Sequence, residues 1–128
     1  MLPDAAKALL DRPEFATVAT IEPDGRPHLS VIWVGRDGDD ILFSTVRGRR
    51  KPANLERDPR VSLLVYPRDD PYSYLEVRGT AELSEDPERA YIEEMSHKYL
   101  GRPYPWHRPG QRRLVVRIKP ENVVWHED

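Results

Sequence analysis

Ser44-Thr45-Val46-Arg47-Gly48-Arg49-Arg50-Lys51 runs from the end of an apolar stretch through a glycine into a cluster of cations. Where a strand turns through glycine into a helix, the first backbone N–H groups lack intrahelical partners, and the helix dipole favours negative charge beside them. Arg and Lys heads add charge-assisted hydrogen bonds to phosphate oxygens. The chemistry this spacing supports is capture of a phosphate-like anion. Taken alone, the same run also reads as a solvated, charged loop. Its position in the fold has to decide.

Other chemistries find less support. His28, His97, His107 and His126 show no paired ligand spacing, so no metal site is expected. Ser30 and Ser44 lack a Gly-x-Ser-x-Gly elbow, and neither a Walker loop nor a GxGxxG fingerprint occurs. Glu93-Glu94 and Asp39-Asp40 read as solvated charge, and no catalytic residue is assigned. The 20 Lys and Arg residues against 22 Asp and Glu leave a net charge of -2, so no molecule-wide field favours nucleic acid or an anionic membrane. Cysteine is absent, which excludes disulfides and thiolate chemistry and suits a reducing compartment. With no leader-like start and no bilayer-length apolar run, the expectation is a soluble cytoplasmic protein.

The elements that must position the cluster follow from pattern. The 128 residues fit one domain, 1–128, with a core of its own. Leu2 to Arg12 carries Leu2, Ala6, Leu9 and Leu10 at helical spacing, and Pro13 stops it. Phe15 to Glu22 and His28 to Gly35 read as strands around the Pro23-Asp24-Gly25 turn, with Ile41 to Thr45 as a third strand of an antiparallel meander. A short helix through Pro52–Arg57 follows the cations. Strands at Arg60–Tyr66 and Tyr72–Leu83, a helix at Arg89–Tyr99 capped by Ser84 or Asp86, and a strand at Arg113–Lys119 with a short tail complete the chain. Between the last two elements lies a Pro-rich loop containing Tyr104 and Trp106. About six antiparallel strands with two or three helices predict a mainly β fold, a small barrel closed or nearly closed on itself.

Gly25-Arg26-Pro27, Phe43-Ser44-Thr45, the Arg49-Arg50-Lys51 cluster, Asn54-Leu55, Asp58-Pro59-Arg60 and Val77-Arg78-Gly79-Thr80-Ala81-Glu82 come in an order that resembles the pyridoxamine 5'-phosphate oxidase-like split-barrel flavoproteins. Within them the chain is similar to the flavin/deazaflavin oxidoreductases of group B, which use coenzyme F420. The resemblance reaches from the first helix to Pro120-Glu121-Asn122-Val123. It implies a split β-barrel homodimer with two cofactors in grooves between subunits. It implies further that Arg49, Arg50 and Lys51 hold the cofactor phosphate, and that Ser44 and Thr45 contact the cofactor near the phosphate and ribityl chain. His28, Ser30, Ile32 and Trp33 would lie beside the ring, and Tyr74 would face the groove.

The same resemblance implies an F420-dependent oxidoreductase that passes a hydride to an electron-poor small molecule, an enone, a quinone or a tetrapyrrole. Oxidases of pyridoxamine phosphate are longer and end in a Trp and Arg segment, whereas this sequence stops soon after Val124-Trp125-His126, so vitamin B6 oxidation is not expected. Tyr99-Leu100-Gly101-Arg102-Pro103-Tyr104 resembles the F420 group, and Arg47 or Arg57 would serve the polyglutamate tail of that coenzyme. FMN carries the same ribityl phosphate and is the alternative cofactor. A non-catalytic flavin- or heme-binding module is the alternative role. His28, Tyr74 or an ordered water would supply any proton, and Tyr104 and Trp106 would wall the substrate pocket or pack against the barrel.

Overall fold

A computed structural model describes residues 1–127. In chain order the elements are α1 (Asp4–Asp11), β1 (Phe15–Ile21), β2 (Pro27–Trp33), β3 (Gly35–Asp37), β4 (Asp40–Val46), α2 (Arg50–Arg57), β5 (Arg60–Val65), β6 (Tyr74–Glu85), α3 (Ala90–Leu100) and β7 (Arg113–His126). The fold is mainly β, as the strand pattern predicts, with seven strands rather than about six. The strand not foreseen is β3, whose three residues are too few to carry a period-2 signal.

All neighbours pair antiparallel, in the order β2-β1-β5-β6-β7-β4-β3. The three-strand meander expected at the N-terminal end is therefore corrected. β1 and β2 form one hairpin and β3 and β4 another, but β2 and β3 lie at opposite edges of the hydrogen-bonded order. A single residue, Val34, joins those edges. Because one trans residue advances the chain by only about 3.8 Å, the sheet has to curl until its two edges meet there. The result is a curled, half-closed barrel whose alternate side chains fill the interior. Phe43, Ile41, Val18, Leu63, Val65, Leu75, Val77, Val116 and Ile118 form that core, and Leu2 ahead of α1 joins Ala6, Leu9 and Leu10 of that helix in it.

The last strand is longer than its sequence suggests. Pro120 removes a ladder donor and reads as a strand end, yet β7 continues to His126. A bulge absorbs the proline: Arg78 pairs with Asn122 and Gly79 with Pro120, leaving Glu121 without an opposite residue. Gly79 is what permits this approach, since a Cβ there would stand 2.1 Å from the Lys119 carbonyl oxygen. Before α3, Asp86 rather than Ser84 provides the cap, its carboxylate accepting from the N–H groups of Ala90 and Tyr91 at 3.0 Å each.

The C-terminal turn of α3 fastens the crossover. The Tyr99 hydroxyl accepts from the Val34 N–H at 2.9 Å and donates to the Glu14 carbonyl at 2.5 Å. Lys98 Nζ donates to the carbonyls of Leu10 and Val34 at 2.5 and 2.6 Å. Burial pulls the Lys98 ammonium down to about 8, against the weaker opposing pull of Asp11 and Glu94. The folded state thus holds this proton less tightly than the unfolded chain, whose lysine titrates near 10.5. The resulting penalty is fully present below about pH 8 and is relieved as pH rises from there toward 10.5. Thermal unfolding of the wild type and of Lys98→Met, followed by circular dichroism from pH 7 to 10, should show the wild type gaining on the variant as pH rises. A difference that is flat or falls with pH would contradict the desolvated clamp.

Candidate functional site

The curled sheet leaves one cleft of about 370 Å³ where the C-terminal halves of β2 and β4 face α3 and the loop spanning 101–112. That volume suits a small organic ligand. β2 contributes Val31, Ile32 and Trp33, α3 contributes Ile92 and Met95, and the loop contributes Tyr104 and Trp106. Trp33 is set by its stacking on Tyr99, with centroids 5.2 Å apart and planes 10° from parallel. Tyr104 meets Trp33 and Trp106 edge-on at 6.1 and 5.5 Å. One wall of the cleft is consequently aromatic.

The other end is cationic. Ser44 and Thr45 precede Val46, the last residue of β4, Gly48 takes φ +97° in the turn, and α2 begins at Arg50 with no side-chain cap. Four of the cations in this stretch divide into two kinds. Arg47 pairs with Glu56 at 3.2 Å and Glu85 at 3.6 Å, and Arg50 pairs with Glu22 at 3.2 Å. Among the described residues, Arg49 and Lys51 have no carboxylate within ion-pair reach, and both line the cleft with Ser44 and Thr45. Lys51 is held below its ordinary value, first by burial and then by the like charge of Arg49. The Thr45 hydroxyl is buried without a hydrogen-bond partner. Two uncompensated cations and an unsatisfied hydroxyl beside a helix start are chemically suited to an anion.

A third cation lies in the cleft that the sequence reading overlooked. Arg113 opens β7 opposite Val46 and is 5% exposed. Its guanidinium donates to the Tyr104 hydroxyl at 3.0 Å and reaches Ser44 Oγ at 3.4 Å, and it lies 5.0 Å from the centre of the Tyr104 ring. Nothing local in the sequence flags it, because it opens a run read for its aliphatic alternation. Glu93 fixes the loop that carries Tyr104 by accepting from the Tyr104 N–H at 2.9 Å, with His107 Nε2 2.7 Å from its other oxygen. Those two contacts hold the Glu93 carboxyl below its usual range.

Of the residues singled out from sequence, Ile32, Trp33, Ser44, Thr45, Arg49 and Lys51 meet in this cleft, along with Tyr104 and Trp106. Arg50 is turned toward Glu22. His28 lines a separate shallow depression with Glu22, Arg26 and Leu29, and its Nδ1 is buried without a partner. Ser30 alternates with His28 and Ile32 on one face of β2, its hydroxyl likewise buried and unpaired. Tyr74 stacks on His126 at 5.1 Å, on the outer face of β6 two positions from Glu76. Arg57 is tied to the Ile21 carbonyl and to Asn54, and Arg47 is tied to carboxylates.

A family model described as pyridoxamine 5'-phosphate oxidase matches residues 2–126. The pyridoxine/pyridoxamine 5'-phosphate oxidase of Rubrobacter xylanophilus is 38% identical over 91 residues, 70% of this chain and 42% of that protein. The chain thus spans less than half the length of the curated relatives it matches. A solved structure of an F420 reductase superposes with a TM-score of 0.85 at 30% identity, covering 96% of this chain and 98% of that one. A conserved hypothetical protein from Mycobacterium tuberculosis gives 0.77 at 28% identity, covering 98% and 86%.

The division of the cations can be tested with inorganic phosphate and scanning calorimetry. Phosphate at ten times its Kd should stabilise the wild type by about 1.4 kcal/mol. The gain should persist in Arg47→Ala and vanish in Arg49→Ala/Lys51→Ala. Equal gains in all three proteins would show that the unpaired cations do not form the site.

Proposed function

The chain belongs to the pyridoxamine 5'-phosphate oxidase family, and on that basis we propose that its cleft binds coenzyme F420 and that the protein is an F420-dependent oxidoreductase acting on an electron-poor small molecule. The observation that carries this reading is the pair of unpaired cations, Arg49 and Lys51, at the start of α2 and at one end of a cleft with an indole wall. The near-complete mutual coverage with an F420 reductase supports the choice of deazaflavin.

The residues present fit such a group. Arg49, Lys51 and the free N–H groups at the start of α2 would hold the phosphate, and the unsatisfied Thr45 hydroxyl would donate to it or to the adjoining polyol. Trp33 and Ile32 would border the ring, while Ile92 and Met95 keep water from that side. When bound, the reduced coenzyme supplies a hydride to a conjugated acceptor such as an enone, quinone or tetrapyrrole. The protein's share is placement: Tyr104, locked by Glu93 and Arg113, limits how a flat acceptor can lie in the cleft. FMN offers the same phosphate to the same cations and is the second reading, favoured by the family to which the chain belongs.

A homodimer belongs to this proposal. The outer face of β2, β1 and β5 carries Val31 at 68% exposure, Leu29 at 62%, Phe15 at 43% and Leu64 at 37%. Val31, Thr17 and Leu64 lie in one cross-strand row. An apolar face of this kind is a protein contact surface. Val31 and Phe15 also line the cleft, so a second copy seated on this face would complete the cleft wall.

Titration of the purified protein with F420, followed by coenzyme fluorescence, should show saturable binding tighter than that of FMN. Loss of Arg49 or Lys51 should weaken binding by roughly 10- to 100-fold each, the value of one charge-assisted contact. Tight FMN binding with none of F420 would reverse the cofactor assignment. Binding of either without turnover of quinones, enones or biliverdin would favour a non-catalytic module. In light scattering the wild type should run at twice the chain mass, and Val31→Glu/Leu64→Glu as a monomer with weakened coenzyme binding. A monomeric wild type would end the dimer proposal.

A further inference from the structure

We infer that Arg113 forms a second anion-recognition point in the cleft, separate from the Arg49–Lys51 pair, and that the acceptors this protein takes are themselves carboxylates. The inference deepens the oxidoreductase reading above and rests on it for the word acceptor, but the site itself is read from Arg113 and its neighbours.

An arginine stays charged at any pH a protein meets, so burying it demands a counter-charge. Arg113 is 5% exposed, yet among the described residues no carboxylate lies within ion-pair distance of it. Its partners are two neutral hydroxyls, Tyr104 at 3.0 Å and Ser44 at a long 3.4 Å, and its Nε is buried with no acceptor. Other arginines near the same strand end are treated differently, Arg112 reaching Glu85 at 2.7 Å and Arg47 reaching Glu56. Nor does Glu93, the nearest acid on α3 to this loop, serve Arg113, because both its oxygens are occupied by Tyr104 N–H and His107. A buried guanidinium lining a ligand cleft, denied every protein carboxylate, is matched by negative charge that arrives with the ligand.

The position of the head identifies which part of the ligand. Arg113 is stacked against Tyr104 at 5.0 Å, and Tyr104 contacts Trp33 and Trp106. Arg113 thus joins the aromatic wall, where a flat conjugated molecule would lie, to Ser44 near the end of β4, whereas Arg49 and Lys51 come from the turn and the first residues of α2. The planar fork of a guanidinium is suited to the two oxygens of a carboxylate. An acceptor bearing a carboxylate on or near its conjugated system satisfies Arg113 while its apolar body lies against Tyr104 and Trp106.

Two isosteric probes, 1-naphthoate and 1-naphthamide, test the assignment on the purified full chain through quenching of its tryptophan fluorescence. Naphthoate should bind at least roughly 10-fold more tightly than naphthamide, the discrimination expected of one charge-assisted fork. Saturating inorganic phosphate, which occupies the other cations, should leave naphthoate affinity within about 2-fold. Arg113→Gln should abolish the discrimination, and Arg113→Lys, which keeps the charge without the fork, should retain only part of it. Equal affinity of the two probes for the wild type would overturn the proposal without any variant having to fold. So would competitive displacement of naphthoate by phosphate, which would place the carboxylate on Arg49 and Lys51 instead. Neither probe requires bound coenzyme, so a failure here is distinct from a failure to bind F420 or FMN.

Discussion

The whole arrangement depends on one residue crossing between the edges of the sheet. Val34 alone separates β2 from β3, so the barrel's curl is imposed by chain connectivity before any side chain packs. A backbone unit at such a crossing leaves both ladders, and its polar groups need other partners. The Tyr99 hydroxyl and the Lys98 ammonium supply them from one turn of α3. Burial raises the Tyr99 phenol to about 12, which keeps it protonated and able both to accept from Val34 and to donate to Glu14. The same Tyr99 ring is the surface against which Trp33 stacks, so the fastening of the barrel and the placement of the cleft wall are one piece of packing.

From that frame the electrostatics of the cleft follow by subtraction. The chain is nearly neutral, and ion pairs between exposed partners contribute little stability individually. Their effect on the site is nonetheless large, because they commit Arg47, Arg50 and Arg112 to neighbouring acids. Among the described residues, Arg49, Lys51 and Arg113 meet no acid, and all three line a single cleft. Two of them flank the start of α2, where backbone donors add to the field, and the third is braced by an aromatic wall. Burial and then the like charge of Arg49 lower Lys51, and an anion bound there would offset both.

Much of this was legible in the sequence, for identifiable reasons. Alternation marked β1 and β6, β-branched and aliphatic content marked β5, and the Ser44-to-Lys51 run marked the cationic end of the cleft. The spatial order of strands was not legible, because nothing local announces that Val34 carries the chain to the opposite edge. β3 was too short for periodicity, and the bulge at Gly79 hid the continuation of β7 past Pro120. Residue type alone could not divide the cations into paired and unpaired, since Glu22 and Glu85 that engage Arg50 and Arg47 are distant in sequence. Arg113 escaped notice because its importance lies in the absence of an acid around it, a property of three-dimensional surroundings.

The most direct measurement of the central claim is a crystal structure of the protein grown with F420. The coenzyme phosphate should lie within hydrogen-bond distance of both Arg49 and Lys51, with the deazaflavin ring beside Trp33 in the same cleft. A phosphate bound elsewhere, such as the depression beneath the β1–β2 hairpin, with Arg49 and Lys51 facing solvent, would contradict it.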